Sequence, residues 1–261
     1  NSDHLGINES YPSVCYPTAC ASACTWNREL LDELGAMLGR EARQSGVDML
    51  LGPGVNIKRS PLCGRNFEYF SEDPYLAGQL AAAFIQGVQR TSVAACVKHF
   101  AANSQENRRK AVNSILEERT LREIYLPAFE QAVQAGVKAV MTSYNKVNGE
   151  YPAQNRHLSK EILRGEWGFQ GVLVTDWGAM DRVVPSIQAG LDLQMPGDDG
   201  SSAAKIEAAV KCGELSQEDL DASVERILRL IAWQKEQAKK QPVETVTAQA
   251  GHALAAKIAK E

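Results

Sequence analysis

The chain has 261 residues, 44% hydrophobic and 23% charged, with 28 Lys and Arg against 32 Asp and Glu for a formal net charge of −4. That is the make-up of a globular domain with enough chain to bury a sizeable core. No apolar run approaches the roughly 18 residues of a membrane helix, and mild acidity argues against a binder of nucleic-acid phosphates.

In chain order, residues 27–43 carry Leu30, Leu31, Leu34, Leu38 and Ala42 at helical spacing. Residues 47–57 then read as a buried strand leaving through Gly52-Pro53-Gly54 into a polar, aromatic loop from Lys58 to Pro74. Within that loop Ser71-Glu72-Asp73-Pro74 predicts a turn leading into a helix over 75–90, with Leu76, Leu80, Phe84 and Val88 on one face. A second strand covers 93–97 and ends in Lys98-His99-Phe100. A helix over 117–135 leads to a strand over 138–142 followed by Ser143-Tyr144-Asn145. A helix over 158–167 leads to a strand over 172–175 followed by Asp176-Trp177-Gly178. One more short strand is expected over 190–193, ended by Met195-Pro196-Gly197.

Ser216 then reads as the N-cap of a helix over 216–240. Its stripe of Leu220, Val224, Ile227, Leu228 and Ile231 is expected to pack on the rest of the fold. Pro242 breaks the chain, and a last helix begins at 244. The Asn1 start and the uncapped end at Glu261 are read as the marks of a processed or cut chain.

Apolar strands alternating with amphipathic helices argue for parallel βαβ units. Each strand ends in chemistry-bearing groups: Lys98-His99, Tyr144, Asp176. In a (β/α) barrel all such ends open on one face, where sites are built. In a doubly wound sheet they would meet only at a switch point. No Gly-rich phosphate fingerprint follows any strand, so the expectation is an α/β fold, a (β/α)8 TIM-barrel-like architecture, and no nucleotide cofactor.

The six cysteines (Cys15, Cys20, Cys24, Cys63, Cys96, Cys212) form no zinc pattern and are expected to be small buried apolar residues in a reducing compartment. The four histidines, His4, His99, His157 and His252, are scattered, so no metal site is expected. Bacterial cytoplasm suits the unpaired thiols and the lack of a leader.

Three motifs carry a resemblance. Gly64-Arg65-Asn66-Phe67-Glu68-Tyr69-Phe70-Ser71-Glu72-Asp73-Pro74, then Lys98-His99-Phe100 with Asn103 and Gln105-Glu106, then Thr175-Asp176-Trp177-Gly178 resemble glycoside hydrolase family 3, most nearly its bacterial β-glucosidases. The resemblance runs from about Tyr16-Pro17-Thr18-Ala19 to Met195-Pro196-Gly197 and on through the helix that follows. It implies a barrel incomplete at its N-terminal side, since the family's early Asp-Gly-Pro segment is absent. It also implies that residues 1–240 form the barrel domain and that 241–261 are a linker and lead-in to an α/β sandwich domain.

Retaining glycosidases need a carboxylate nucleophile and a second carboxyl group as acid and then base. By resemblance Asp176 is the nucleophile; without it, a loop or N-cap Asp is an equal reading. Lys98, His99 and Arg65 would bind sugar hydroxyls, a task that suits their donors. For Arg65 the plainer reading is a salt bridge to Glu68, Glu72 or Asp73. Arg109, with adjacent Arg108 as the other register, would hold the site electrostatically near Asp176. Tyr144 would lie close to the nucleophile and Trp177 would stack on a sugar face; each is otherwise a core aromatic. Glu68, Glu72, Asp73 and Glu106 are not taken as the acid/base. The resemblance places that Glu in the sandwich domain. The K-H-F-P-G-H-G loop of the family's N-acetylglucosaminidases is replaced here by Lys98-His99-Phe100-Ala101-Ala102-Asn103, which disfavours that substrate. The expected substrate is a β-glucoside or short oligosaccharide, hydrolysed without metal or organic cofactor. A β-xylosidase, an α-arabinofuranosidase or a glycoside phosphorylase of the same family, or a non-catalytic sugar- or partner-binding domain, are the alternatives.

Overall fold

The computed structural model describes residues 13–261. His4 lies outside them. Among the described residues six strands form: β1 Met49–Leu50, β2 Ala94–Phe100, β3 Asn113–Ser114, β4 Ala139–Thr142, β5 Lys146–Val147 and β6 Val172–Val174. The main sheet has the order β1-β2-β4-β6, with every pairing parallel. A parallel bridge from Val174 to Leu193 extends it at one edge, and bridges from Gly54 to Tyr69 and Lys98 thicken it near β2. β3 and β5 form a separate two-stranded parallel ribbon. The chain is thus an α/β fold whose parallel sheet is an incomplete (β/α) barrel.

Side chains alternate across each strand, so the sheet has two apolar faces. Ala95, Val97, Val140 and Leu173 point to one face, where they meet Leu80, Phe84, Phe129 and Ile162 of the flanking helices in the main core. Cys96, Ala139, Met141, Val172 and Val174 form the other face, covered by Met49, Met195, Ile227 and Leu230.

The helices Arg28–Gln44 and Pro74–Gln89 lie against each other at two glycines. A Cβ on Gly35 would overlap the Phe84 carbonyl oxygen, and one on Gly87 the Asp32 carbonyl oxygen. Gly87→Ala is therefore expected to destabilise the fold by about 1–3 kcal/mol, read from the urea unfolding midpoint. Asp73 caps the second helix, accepting from Tyr75 N at 2.8 Å, with Pro74 in the first turn, as the turn motif predicts. Ser216 likewise caps Gln217–Lys240 by accepting from Asp219 N at 3.1 Å.

Several expectations are corrected. The helix expected over 117–135 is broken into a single turn Glu118–Thr120, a π-helix Leu121–Tyr125 and a helix Pro127–Gln134. Pro127 has no N–H to donate, so the helix restarts there. The helix near 158 is a π-helix, His157–Glu166. The strand expected over 190–193 makes only the Leu193 bridge, and most of 47–57 is irregular.

The stripe on Gln217–Lys240 does not pack as a whole: Val224, Leu228 and Ile231 are exposed, while Ile227 and Leu230 meet the sheet. Only Ile227 and Leu230 are needed to cover that face of the sheet, so a narrower stripe suffices. Nor are the cysteines uniformly buried: Cys63 and Cys96 are, but Cys15, Cys24 and Cys212 are exposed, and all six are free thiols. The last helix, Ala248–Lys260, returns Leu254 and Ile258 to the main core. Among the described residues no helix is long and apolar enough to cross a membrane.

Candidate active site

Three parallel strands deliver the candidate residues to one end of the sheet. Between Lys98 and Phe100 the β2–β4 register shifts, pairing Lys98 with Met141 and Phe100 with Thr142. His99 is the residue passed over, a bulge that re-aims its side chain. The Lys98–His99 and Phe100–Ala101 peptides are cis. Asn56 acts as a substitute strand partner there. It accepts from His99 N at 2.7 Å and donates to the His99 carbonyl at 2.8 Å.

β6 leads into Thr175 and Asp176. Thr175 N donates to the Leu193 carbonyl at 3.0 Å, and its hydroxyl accepts from Met195 N at 2.8 Å. Gly178 N donates to the Met195 carbonyl at 2.7 Å. The segment expected merely to end a strand therefore clamps the turn that carries Asp176. Beyond β4, Tyr144 donates its hydroxyl to the Trp177 carbonyl at 2.7 Å.

The Asp176 carboxylate is asymmetric. Oδ1 accepts from Trp177 N at 2.7 Å. Oδ2 is buried and has no hydrogen-bond partner, with His99 Nε2 at 3.5 Å and Arg65 Nη1 at 3.8 Å. Arg65 also pairs through Nε with Glu68, whose other oxygen is 3.8 Å from Lys98 Nζ. The plainer reading of Arg65, a loop salt bridge, is met at Glu68, and the same guanidinium also faces Asp176. Arg109 pairs with Glu106 at 2.8 Å and lies 4.2 Å over the Tyr144 ring. Its link to Asp176 runs through Tyr144. The Trp177 side chain stands at the surface, 37% exposed, free to meet a ligand face.

Of the carboxylates set aside as acid/base, Glu68 and Glu106 are engaged by cations, Asp73 caps a helix and Glu72 is exposed. A cavity of about 420 Å³, lined by Lys138, Trp167, Arg226 and Trp233 among others, opens at the opposite end of the sheet and has no carboxylate in its wall. Among the described residues, no group of three or more His, Cys, Asp or Glu is arranged to hold a metal ion.

Burial, and then the charges of Arg65, Lys98 and Arg109, hold the His99 imidazole well below its usual 6.5. The ring is neutral in the folded protein, and the positive charge beside Asp176 comes from Arg65. Burial and the Asp176 carboxylate push the Tyr144 phenol up to about 12, so it stays a donor.

The His99 depression has a sign. The unfolded chain binds this proton more readily, so the contribution is fully present above about pH 6.5 and is lost as pH falls. Unfolding free energy is expected to drop between pH 7 and 5, by at most about 1.4 kcal/mol per pH unit from this group. Urea titrations of the wild type and His99→Gln check it, because the variant lacks that part of the slope.

Tyr69, Asn103 and Asn56 also belong to the site, though no role was expected of them. Tyr69 and Asn103 lie inside the motifs that carry the family resemblance. Asn56 carried a signal of its own: a polar side chain inside the run Val55-Asn56-Ile57 must find buried partners.

Residues 6–230 match the model of the glycosyl hydrolase family 3 N-terminal domain. The chain is 56% identical over 226 residues to thermostable beta-glucosidase B of Acetivibrio thermocellus, covering 86% of this chain and 30% of that protein. It is 44% identical over 226 residues to an exo-alpha-(1->6)-L-arabinopyranosidase of Bifidobacterium breve, again covering 86% and 30%. The solved structure of beta-glucosidase 3B from Thermotoga neapolitana in complex with glucose superposes with a TM-score of 0.88 at 42% identity, covering 99% of this chain and 37% of that one. The chain therefore spans about a third of the length of these relatives.

Proposed function

The chain belongs to glycosyl hydrolase family 3, and from that premise we propose that it is the nucleophile-bearing barrel of a retaining β-glucosidase acting on terminal β-D-glucosyl residues. The observation that carries this reading is Asp176 Oδ2, buried and without a hydrogen bond beside Arg65 and His99 at the C-terminal end of a parallel sheet. With its nearest donors, His99 Nε2 and Arg65 Nη1, as far off as 3.5 and 3.8 Å, this oxygen keeps a lone pair for an electrophilic carbon, while Trp177 N fixes the other oxygen.

In the proposed reaction Asp176 Oδ2 attacks the anomeric carbon and the glycosidic bond breaks. A carboxylic acid outside this chain protonates the departing oxygen. The glycosyl-aspartate is then hydrolysed by water activated by that same residue. The engagement of Glu68, Asp73 and Glu106 supports an acid/base elsewhere, in an α/β sandwich domain to which residues 241–261 lead. Lys98, Arg65 and Trp177 are the groups placed to meet the sugar. His99, with its ring 1% exposed, acts on Asp176 first and reaches a sugar hydroxyl only by its Nε2 edge. No metal or organic cofactor enters these steps. Six free thiols fit a reducing compartment.

A 2-deoxy-2-fluoro β-glucoside with a good leaving group tests the proposal, because its departure needs little acid assistance. Peptide mapping by mass spectrometry is expected to find the sugar on Asp176. A folded sample with no adduct there would sink the nucleophile assignment and favour a binding-only domain. The Bifidobacterium relative supports a second reading, an α-L-arabinopyranosyl substrate. An arabinopyranosyl probe run in parallel decides between them by the faster adduct.

A further inference from the structure

We propose that Tyr69 is a positioning residue that fixes the tautomer of His99, its hydroxyl donating to Nδ1 so that Nε2–H faces Asp176. The functional consequence rests on reading Asp176 as the nucleophile; the tautomer does not.

A chain of hydrogen bonds of fixed direction runs from the surface inward. Arg109 donates to Glu106 Oε2 at 2.8 Å. Asn103 is 3.1 Å from the other oxygen, Oε1, through Nδ2. A carboxylate facing Asn103 requires the amide NH2 there, since an amide oxygen would meet a second acceptor. That amide group has two hydrogens, and the second points to the Tyr69 hydroxyl oxygen at 3.2 Å. Tyr69 thus accepts from Asn103. Its own proton must go to its remaining partner, His99 Nδ1, at 3.2 Å.

A neutral imidazole that accepts at Nδ1 carries its hydrogen on Nε2. Nε2 is the atom 3.5 Å from Asp176 Oδ2.

The opposite tautomer fails at both ends of the ring. With hydrogen on Nδ1, the Tyr69 oxygen would face two donors and its own O–H would have no acceptor. Tyr69, His99 and Asn103 are each at most 1% exposed, so water could not satisfy that O–H. At the other end, the Nε2 lone pair would face a carboxylate oxygen. Burial raises the Tyr69 phenol and lowers the imidazole, which keeps the first an O–H and the second neutral.

The relay therefore links the Arg109–Glu106 pair to the nucleophile through three uncharged groups of fixed polarity. It gives the site a donor at His99 without a second positive charge. It also sets what His99 accepts as a ligand: an oxygen lone pair, not a hydroxyl hydrogen.

The test is a long-range proton–nitrogen NMR spectrum of the full chain with 15N-labelled histidine, near neutral pH, with His99 assigned by its loss in His99→Gln. The expected wild-type ring has a protonated Nε2 and a bare Nδ1 that accepts a hydrogen bond. A protonated Nδ1 overturns the proposal, and this needs no variant to fold. In Tyr69→Phe the Nδ1 signal is expected to move to that of a bare nitrogen without a hydrogen bond, or to be joined by the other tautomer. An unchanged signal overturns the proposal. Trapping of Asp176 by the fluoro-glucoside is expected to slow about three- to tenfold in Tyr69→Phe, the worth of one lost hydrogen bond. An unchanged trapping rate overturns the positioning role. If the wild type is not trapped at all, the nucleophile reading fails while the spectrum still decides the tautomer.

Discussion

Replacing Asp176 by Asn is expected to abolish the glycosyl adduct and to cut turnover of an activated aryl β-glucoside on the order of 10⁴-fold. Oδ1 of the replacement still accepts from Trp177 N, so the turn survives. At the Oδ2 position an amide nitrogen has no lone pair free for carbon. It would also turn N–H groups toward Arg65 and His99 Nε2–H, where the carboxylate offered an acceptor. Oδ2 makes no hydrogen bond in the folded chain, but its charge faces buried Arg65 and His99, so a stability loss of about 1–3 kcal/mol is expected. Kinetics with the aryl glucoside, adduct mass and a urea midpoint separate the two effects. Turnover within tenfold of wild type would show that Asp176 is not the nucleophile.

The second large effect is structural and lies at Asp192, whose side chain is 0% exposed. Its oxygens accept from Arg164 Nη2 at 2.7 Å, Leu173 N at 2.8 Å, Arg226 Nε at 2.8 Å and the Ser223 hydroxyl at 3.0 Å. One carboxylate thus ties β6 to the His157–Glu166 helix and to Gln217–Lys240. Burial, with the neighbouring charge of Arg226, lowers the Arg164 guanidinium even beside this carboxylate. A buried ion pair adds little over an apolar core of the same shape, but removing one member leaves an uncompensated charge. Asp192→Ala leaves two. Its expected cost is about 3–5 kcal/mol, a loss of roughly 10 °C in Tm for a chain of this size. A loss under 1 kcal/mol by urea unfolding would show that water screens the cluster.

What could be read in the sequence was local. Asp176, Tyr144 and Lys98-His99 stand at strand ends because an apolar run followed by a polar group marks that place whatever surrounds it. The Arg28–Gln44 helix falls within a residue of its expected span because its stripe is unbroken. Where packing decides, the reading stopped. Ser201–Cys212 is a helix in which small residues leave a weak stripe, so it was not expected. Val224, Leu228 and Ile231 have the spacing of a core face, but which face a helix buries depends on what lies opposite. In the site, the motif residues could be named, yet the contacts of Asn56, Tyr69 and Asn103 come from segments far apart in the chain.

The order of the main sheet, β1-β2-β4-β6, is also the order in which its strands leave the ribosome. Each new strand can dock on the open edge of the one made before it, with no threading and no waiting for a distant partner. The Asp176 turn is the exception, since Leu193 and Met195, which clamp Thr175 and Gly178, are synthesised after it. A nascent chain that stops short of Met195 thus holds all four strands of the main sheet while the turn around Asp176 still lacks the partners of Thr175 and Gly178.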